Sequence, residues 1–236
     1  MKLVEVKRQS LVKNVSEQLA KAIRSGFDWS EGMLPSERHL ASQFGVSRPV
    51  IREAMKQLEF QGLVEIRQGL GSRVVNQPFA PLSATAKLLL PDDMERLRQS
   101  LDVRMLLEPE IAQRATERVN KEGLTRLHEI QRSLETASSL EEAMEVDIAF
   151  HSELARISGN DLFGIILDSI ADLGRESRRA TMSQVGFDRA CRQHAVVLNA
   201  IECGDAKAAE KAMQIHIQAA VNDLLAHFKS GDGQKL

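Results

Sequence analysis

Asp147 and His151 stand four residues apart in Val146-Asp147-Ile148-Ala149-Phe150-His151, so one helical face would present a carboxylate and an imidazole together. His194 follows in Arg192-Gln193-His194-Ala195-Val196-Val197-Leu198, and His216 in Met213-Gln214-Ile215-His216-Ile217. Each lies beside apolar residues of an amphipathic segment. Three imidazoles and a carboxylate form a donor set for a divalent cation, with Zn the first choice and Mn, Ni or Fe as alternatives. Were they to converge from three helices in a bundle core, coordination positions would stay open for an oxygen of a further ligand. Taken singly, each histidine also has a plainer reading as a hydrogen-bonded core residue. Cys191, three residues before His194, reads either as a thiolate ligand or as a small buried hydrophobe. His39, His128 and His227 lack partners at helical spacing and read as surface residues.

Arg104 falls on an otherwise apolar stripe with Leu97, Leu101, Glu108, Ile111 and Ala115. A charge there needs a partner. Glu108, one turn on, is one candidate. The other is the carboxylate of a bound molecule, gripped bidentately while a metal holds another oxygen. Arg175, Arg178 and Arg179 could assist, though singly they read as solvated. A metal beside an arginine suits a small organic acid: a hydroxycarboxylate, a dicarboxylate or a sugar acid.

A different chemistry is concentrated between Pro35 and Val75. Ser36 can cap a helix over Glu37–Phe44, Gly45-Val46-Ser47 is a turn, and Ser47 can cap a second helix running to about Phe60. Pro49 is tolerated in that helix's first turn. Arg48 and Arg52 share one face of its N-terminal turns, where a helix in a major groove meets base edges and phosphates. Ile51, Ala54, Met55 and Leu58 make the opposite, apolar face, which can pack on Leu40 and Phe44. Arg38 can reach a phosphate from the preceding helix. Leu63–Arg67 and Ser72–Val75 read as strands joined by Gln68-Gly69-Leu70-Gly71, with Arg67 and Arg73 flanking a tip whose glycines allow close approach to a minor groove. This is the pattern of a winged helix-turn-helix, and it predicts binding to double-stranded DNA. The plainer reading of the arginines is a solvated charged face.

The elements that must position these residues follow from periodicity. Leu11, Val15, Leu19, Ala22 and Ile23 predict a helix over 11–25. Asn76 to Pro81 holds two prolines and breaks the pattern. The remainder predicts helices over 82–90, 93–118, 121–137, 140–158, 161–181, 187–203 and 205–228. The chain therefore reads as mainly α: a winged helix-turn-helix domain over 1–76, a linker over 77–81, an all-α helical bundle for effector binding and dimerisation over 82–228, and a disordered tail over 229–236. Of its 236 residues, 43% are hydrophobic but only 4% aromatic, so the core must be aliphatic and helix-prone. Residues 1–76 carry twelve Lys and Arg against eight Asp and Glu, whereas the rest is net acidic, so only the first part suits a polyanion. No apolar run is long enough to span a membrane, no signal peptide opens the chain, and Cys191 and Cys203 read as free thiols in a reducing cytoplasm.

The N-terminal stretch resembles the GntR family of bacterial transcription regulators over roughly residues 8–76. The matching residues are Leu34-Pro35-Ser36-Glu37-Arg38, Leu40-Ala41, Gly45-Val46-Ser47-Arg48, Val50, Arg52-Glu53-Ala54, Leu58, Gly62-Leu63 and Gly69-x-Gly71. The resemblance implies DNA contacts by Arg38, Arg48, Arg52 and Gly69, to which Ser47 and Arg73 are added as candidates. Ser72-Arg73 departs from the Thr-Phe common in the family wing. Residues 90–225 resemble the FCD ligand-binding domain of the FadR subfamily through Leu101-Asp102-Val103-Arg104-x3-Glu108-Pro109, Asp147-x2-Phe150-His151-x2-Leu154-Ala155, Gly159-Asn160, His194 and His216. This second resemblance implies a metal held by Asp147, His151, His194 and His216, and release from DNA on effector binding. The function predicted is a metabolite-responsive transcriptional repressor acting as a homodimer. The alternatives are a metal-dependent enzyme, for which no base stands beside Asp147, and a DNA-binding protein with a purely structural metal.

Overall fold

The computed structural model describes residues 8–26, 32–67, 70–75, 80–175, 179 and 188–229. The chain divides into two compact units, residues 1–81 and 82–236.

In the first unit, α1 (Arg8–Arg24), α2 (Glu37–Phe44) and α3 (Arg48–Phe60) are followed by β1 (Val64–Arg67) and β2 (Gly71–Val74). The Ser36 side chain accepts from the His39 N–H at 3.3 Å and caps α2. Gly45 ends α2 at φ 62°, a left-handed conformation that a Cβ would strain, and Val46 N–H then bonds the Ala41 carbonyl. Ser47 occupies the N-cap position of α3 but its side chain makes no capping bond, contrary to expectation: Pro49 has no N–H to give, and the Val50 N–H donates to the Ser47 carbonyl at 3.0 Å instead. Val50, Ile51, Ala54, Met55 and Leu58 are buried against Leu40, Leu19 and Val15. The α1 stripe keeps Val15, Leu19 and Ile23 against the core as predicted and departs at its start. Leu11 is 40% exposed and Val12 takes the inward place, with Val15, Leu19 and Ala20. The strands pair antiparallel with Val64 opposite Val74 and Glu65 opposite Arg73, and Met33 bridges to Arg73 along the outer edge.

The second unit is helical throughout its described residues. It comprises α4 (Ala80–Leu89), α5 (Asp93–Arg118), α6 (Lys121–Glu135), α7 (Leu140–Ile157), α8 (Asp161–Leu173), α9 (Asp188–Glu202) and α10 (Ala206–Lys229). Side chains of Asp92, Asn120, Ser139, Asn160 and Asp205 accept from backbone N–H groups in the first turns of α5, α6, α7, α8 and α10. Several boundaries differ from the sequence reading. α4 begins at Ala80 and so includes Pro81, a residue suited to a first turn, which shortens the expected 77–81 linker. α8 ends at Leu173, where Gly174 N–H closes on the Ile170 carbonyl; this interrupts the helix expected over 161–181, of which Arg175 and Arg179 are again helical and residues 176–178 and 180–181 lie outside the described residues. Lys229, assigned to the tail, still belongs to α10, and residues 230–236 lie outside the described residues.

α5 packs along α10, α10 on α9, and α7 on α5, α6 and α8. Ile111, Ala115, Leu127, Phe150, Leu154, Val197, Leu198, Ile201, Met213 and Ile217 form the shared core. Burying each of these side chains other than Ala115 contributes roughly 1.5–3 kcal/mol. Ser83 donates to the Ser169 carbonyl at 3.1 Å and Lys87 pairs with Asp172 at 2.7 Å, which fastens α4 to α8. Both cysteines are free. Among the described residues, no helix is long and apolar enough to cross a membrane.

Candidate nucleic-acid interface and metal centre

α3 and the wing carry the first candidate site. Arg38, Ser47, Arg48, Arg52 and Arg73 are all exposed. Gly69 lies outside the described residues. The apolar face of α3 is fully committed to the core, so its polar face is free to enter a groove. Sequence reasoning overlooked Glu37. Its carboxylate takes Arg52 bidentately, Oε1 from Nε at 3.2 Å and Oε2 from Nη2 at 3.0 Å, and stands 3.7 Å from Arg48. The Arg52 hydrogen bond holds the Glu37 carboxyl below its usual value. Only its place at the first position of α2, in Pro35-Ser36-Glu37-Arg38, could have signalled this. Arg67, on the wing, pairs with Glu65 at 3.0 Å.

The second site is built by four helices. α7 supplies Asp147 and His151 one turn apart, α9 supplies His194, α10 supplies His216, and α5 brings Arg104 and Glu108 beneath them. Asp147, His151, His194 and His216 are all buried, and one ligand atom from each lies within 4.8 Å of all the others. His194 has no exposed surface and stacks on Phe150 with ring centroids 4.1 Å apart. Its Nε2 is 3.4 Å from Asp147 Oδ1, and His151 Nε2 is 3.9 Å from the same oxygen. His216 Nδ1 meets Gln193 Oε1 at 3.0 Å.

The hydrogen-bond inventory of this cluster is incomplete. His194 leaves both ring nitrogens without a hydrogen-bond partner, although it is wholly buried. Such groups cost about 1–3 kcal/mol each unless something satisfies them. Burial drives His194 down to about 3, against a smaller opposing pull from Asp147. Burial also pushes His216 well below its ordinary value, with His194 and His151 adding to the effect. Neutral imidazoles, each with a lone pair, are the form that ligates a cation. The donor set and its orphaned nitrogens therefore fit a divalent metal.

Arg104 is 5% exposed and pairs with Glu108 one turn along α5. Its Nη2 lies 3.4 Å from His151 Nε2. Glu108 Oε2 approaches His151 Nδ1 to 2.6 Å, at an angle that leaves that nitrogen without a well-formed hydrogen bond. Burial alone would raise the Glu108 carboxyl, but Arg104, then His151, outweigh it and hold the group well below the carboxylate range. The local Arg104–Glu108 pair is thus present, and Glu108 also touches a histidine. That contact, like Gln193 on His216, crosses between helices and leaves no spacing signal in the sequence.

Other expected helpers lie elsewhere. Arg175 pairs with Glu145, and Arg179 with Glu141 at 3.1 Å, all exposed; Arg178 falls outside the described residues. Cys191 packs with Leu134, Ala143 and Met144, apart from the ligand quartet. His128, read as unpartnered, meets Glu202 at 2.7 Å.

Comparison with known proteins now bears on both sites. Residues 11–74 match the family described as bacterial regulatory proteins, gntR family, and residues 99–219 match the FCD domain. The HTH-type transcriptional regulator LutR of Bacillus subtilis (strain 168) is 34% identical over 210 residues, spanning 83% of this chain and 93% of LutR. The HTH-type transcriptional repressor NanR of Klebsiella aerogenes is 31% identical over 230 residues, spanning 90% of this chain and 84% of NanR. The solved structure of Streptococcus agalactiae GntR superposes with a TM-score of 0.69 at 25% identity, over 89% of this chain and 99% of that one. These relatives are regulators of transcription rather than enzymes. The groove-reading helix and the helical unit that follows it are thus two halves of one known design, and the chain belongs to the GntR family of bacterial transcriptional regulators, in its FadR subfamily, with an FCD effector-binding domain.

Proposed function

We propose that this regulator is a repressor in the cytoplasm whose grip on operator DNA is set by a divalent metal and a small organic acid held in the FCD domain. Residues 1–76 form the reading head. Arg38, Ser47, Arg48 and Arg52 contact base edges and phosphates, while Gly69 and Arg73 carry the wing to the backbone. Residues 82–228 bind effector and pair two chains, since two half-sites call for two heads. The repressor sign is supported by the relatives that bear that description.

Asp147, His151, His194 and His216 would hold the metal, Zn first among Zn, Mn, Ni and Fe. When bound, the ion supplies a concentrated positive charge for an anionic effector. Arg104 grips the effector carboxylate, and the surrounding apolar core excludes water and strengthens that contact. The observation that carries this reading is the wholly buried His194, with both ring nitrogens unpartnered, inside a quartet of ligand atoms within 4.8 Å. The test begins by selecting a duplex from a random pool with the metal-loaded protein. Hydroxycarboxylates, dicarboxylates and sugar acids are then titrated against that complex. Release by one acid, with no turnover of it, is the expected result. A protein indifferent to every acid, with or without metal, would return the FCD domain to a structural role.

A further inference from the structure

His151 Nε2 is approached from two sides. It faces the ligand quartet, 3.9 Å from Asp147 Oδ1, and it lies 3.4 Å from Arg104 Nη2. A guanidinium is a donor and never an acceptor. The nitrogen it meets therefore presents a lone pair, and the ring proton sits on Nδ1, where the Glu108 carboxylate waits at 2.6 Å. A metal ion at the quartet needs that same lone pair. One lone pair cannot serve both, and a dication also repels a guanidinium strongly at such distances in a buried site.

We propose that Arg104 competes with the metal for His151 Nε2, and that metal entry displaces the guanidinium from the ring. Arg104 keeps its hold on Glu108 through Nε, so it need not leave the site. The Nη2 donor that faced His151 is then released for an anion, while the other stays within 3.5 Å of Glu108 Oε2. Metal and organic acid consequently bind in order, metal first, with one side chain linking the two events. This inference rests on the metal reading of Asp147, His151, His194 and His216. It runs against the simpler role for Arg104, a structural ion pair, because that role predicts that removing the charge loosens His151 and weakens the metal.

The test measures Zn²⁺ affinity of the metal-free, full-length protein by competition with a chromophoric chelator. Arg104→Gln keeps a donor for Glu108 and removes the charge. It should bind Zn²⁺ about tenfold tighter than the unsubstituted protein, while Arg104→Lys stays near the unsubstituted value. Should Arg104→Gln lose its helical circular dichroism, the comparison moves to Glu108→Gln against Arg104→Met/Glu108→Gln, where the double variant should bind Zn²⁺ more tightly. An unchanged or weaker affinity in a folded Arg104→Gln, or in that double variant, overturns the competition and leaves the metal site standing. Absence of Zn²⁺ binding in the unsubstituted protein overturns both.

Discussion

A wholly buried imidazole with no hydrogen bond at either nitrogen is an expensive thing to keep, and His194 keeps it at the meeting point of α7, α9 and α10. Elemental analysis of the purified protein should therefore find about one divalent ion per chain, lost in His151→Ala and His194→Ala. The metal-free form should be acid-sensitive. His194 is lowered to about 3 when folded, while an unfolded histidine titrates near 6.5. Between those values the unfolded chain binds more protons, so stability falls as pH drops from about 6.5 toward 3. At pH 5 the loss is on the order of 2 kcal/mol, readable as a lower Tm in chelator than at pH 7.5. A Tm that rises in acid would contradict this. At this scale the sequence was readable where chemistry repeats at helical spacing: Asp147 with His151, Arg104 with Glu108, Arg48 with Arg52. Glu37, Gln193 and the second contact of Glu108 stayed hidden. Each acts across helices, and only the fold decides which faces meet.

Elements were legible where polar caps and glycines mark their ends, as at Asn120, Ser139 and Asn160. They were misjudged where apolar residues run past a stop. The helix read over 161–181 ran past Gly174, the glycine at which α8 ends, and in α1 the adjacent Leu11 and Val12 made the buried phase ambiguous until packing chose Val12. The end of α7 holds a sharper constraint. Gly159 adopts φ 74°, and a Cβ there would fall 2.4 Å from Arg118 Nη1. That guanidinium donates to the Ser158 carbonyl at 2.9 Å, tying α5 to the end of the helix that bears Asp147 and His151. Gly159→Ala should cost about 1–3 kcal/mol through backbone strain and loss of this tie. Urea denaturation would show it as a lower midpoint with an unchanged slope. A midpoint equal to the parent would mean that neither the positive φ nor the displaced arginine costs stability.

For the whole molecule, the sequence pointed to two halves of opposite charge, and the structure separates two compact units. The four residues that would hold a metal all belong to residues 82–236, and the arginines proposed to meet DNA all belong to residues 1–81. Calorimetry should show Zn²⁺ raising the transition of the larger unit by mass action, with nearly 3 kcal/mol as a rough expectation at a hundredfold excess over Kd. Ala substitutions at Arg48 or Arg52 should leave that transition alone and weaken the selected duplex by about 1–3 kcal/mol each. The Glu37 clasp on Arg52 gives the larger picture a kinetic side. A phosphate that approaches Arg52 would have to displace a carboxylate already in place. On random DNA that exchange would return little, and each encounter would be short. At an operator, added base contacts would tip the exchange, and the same carboxylate would act as a filter on dwell time.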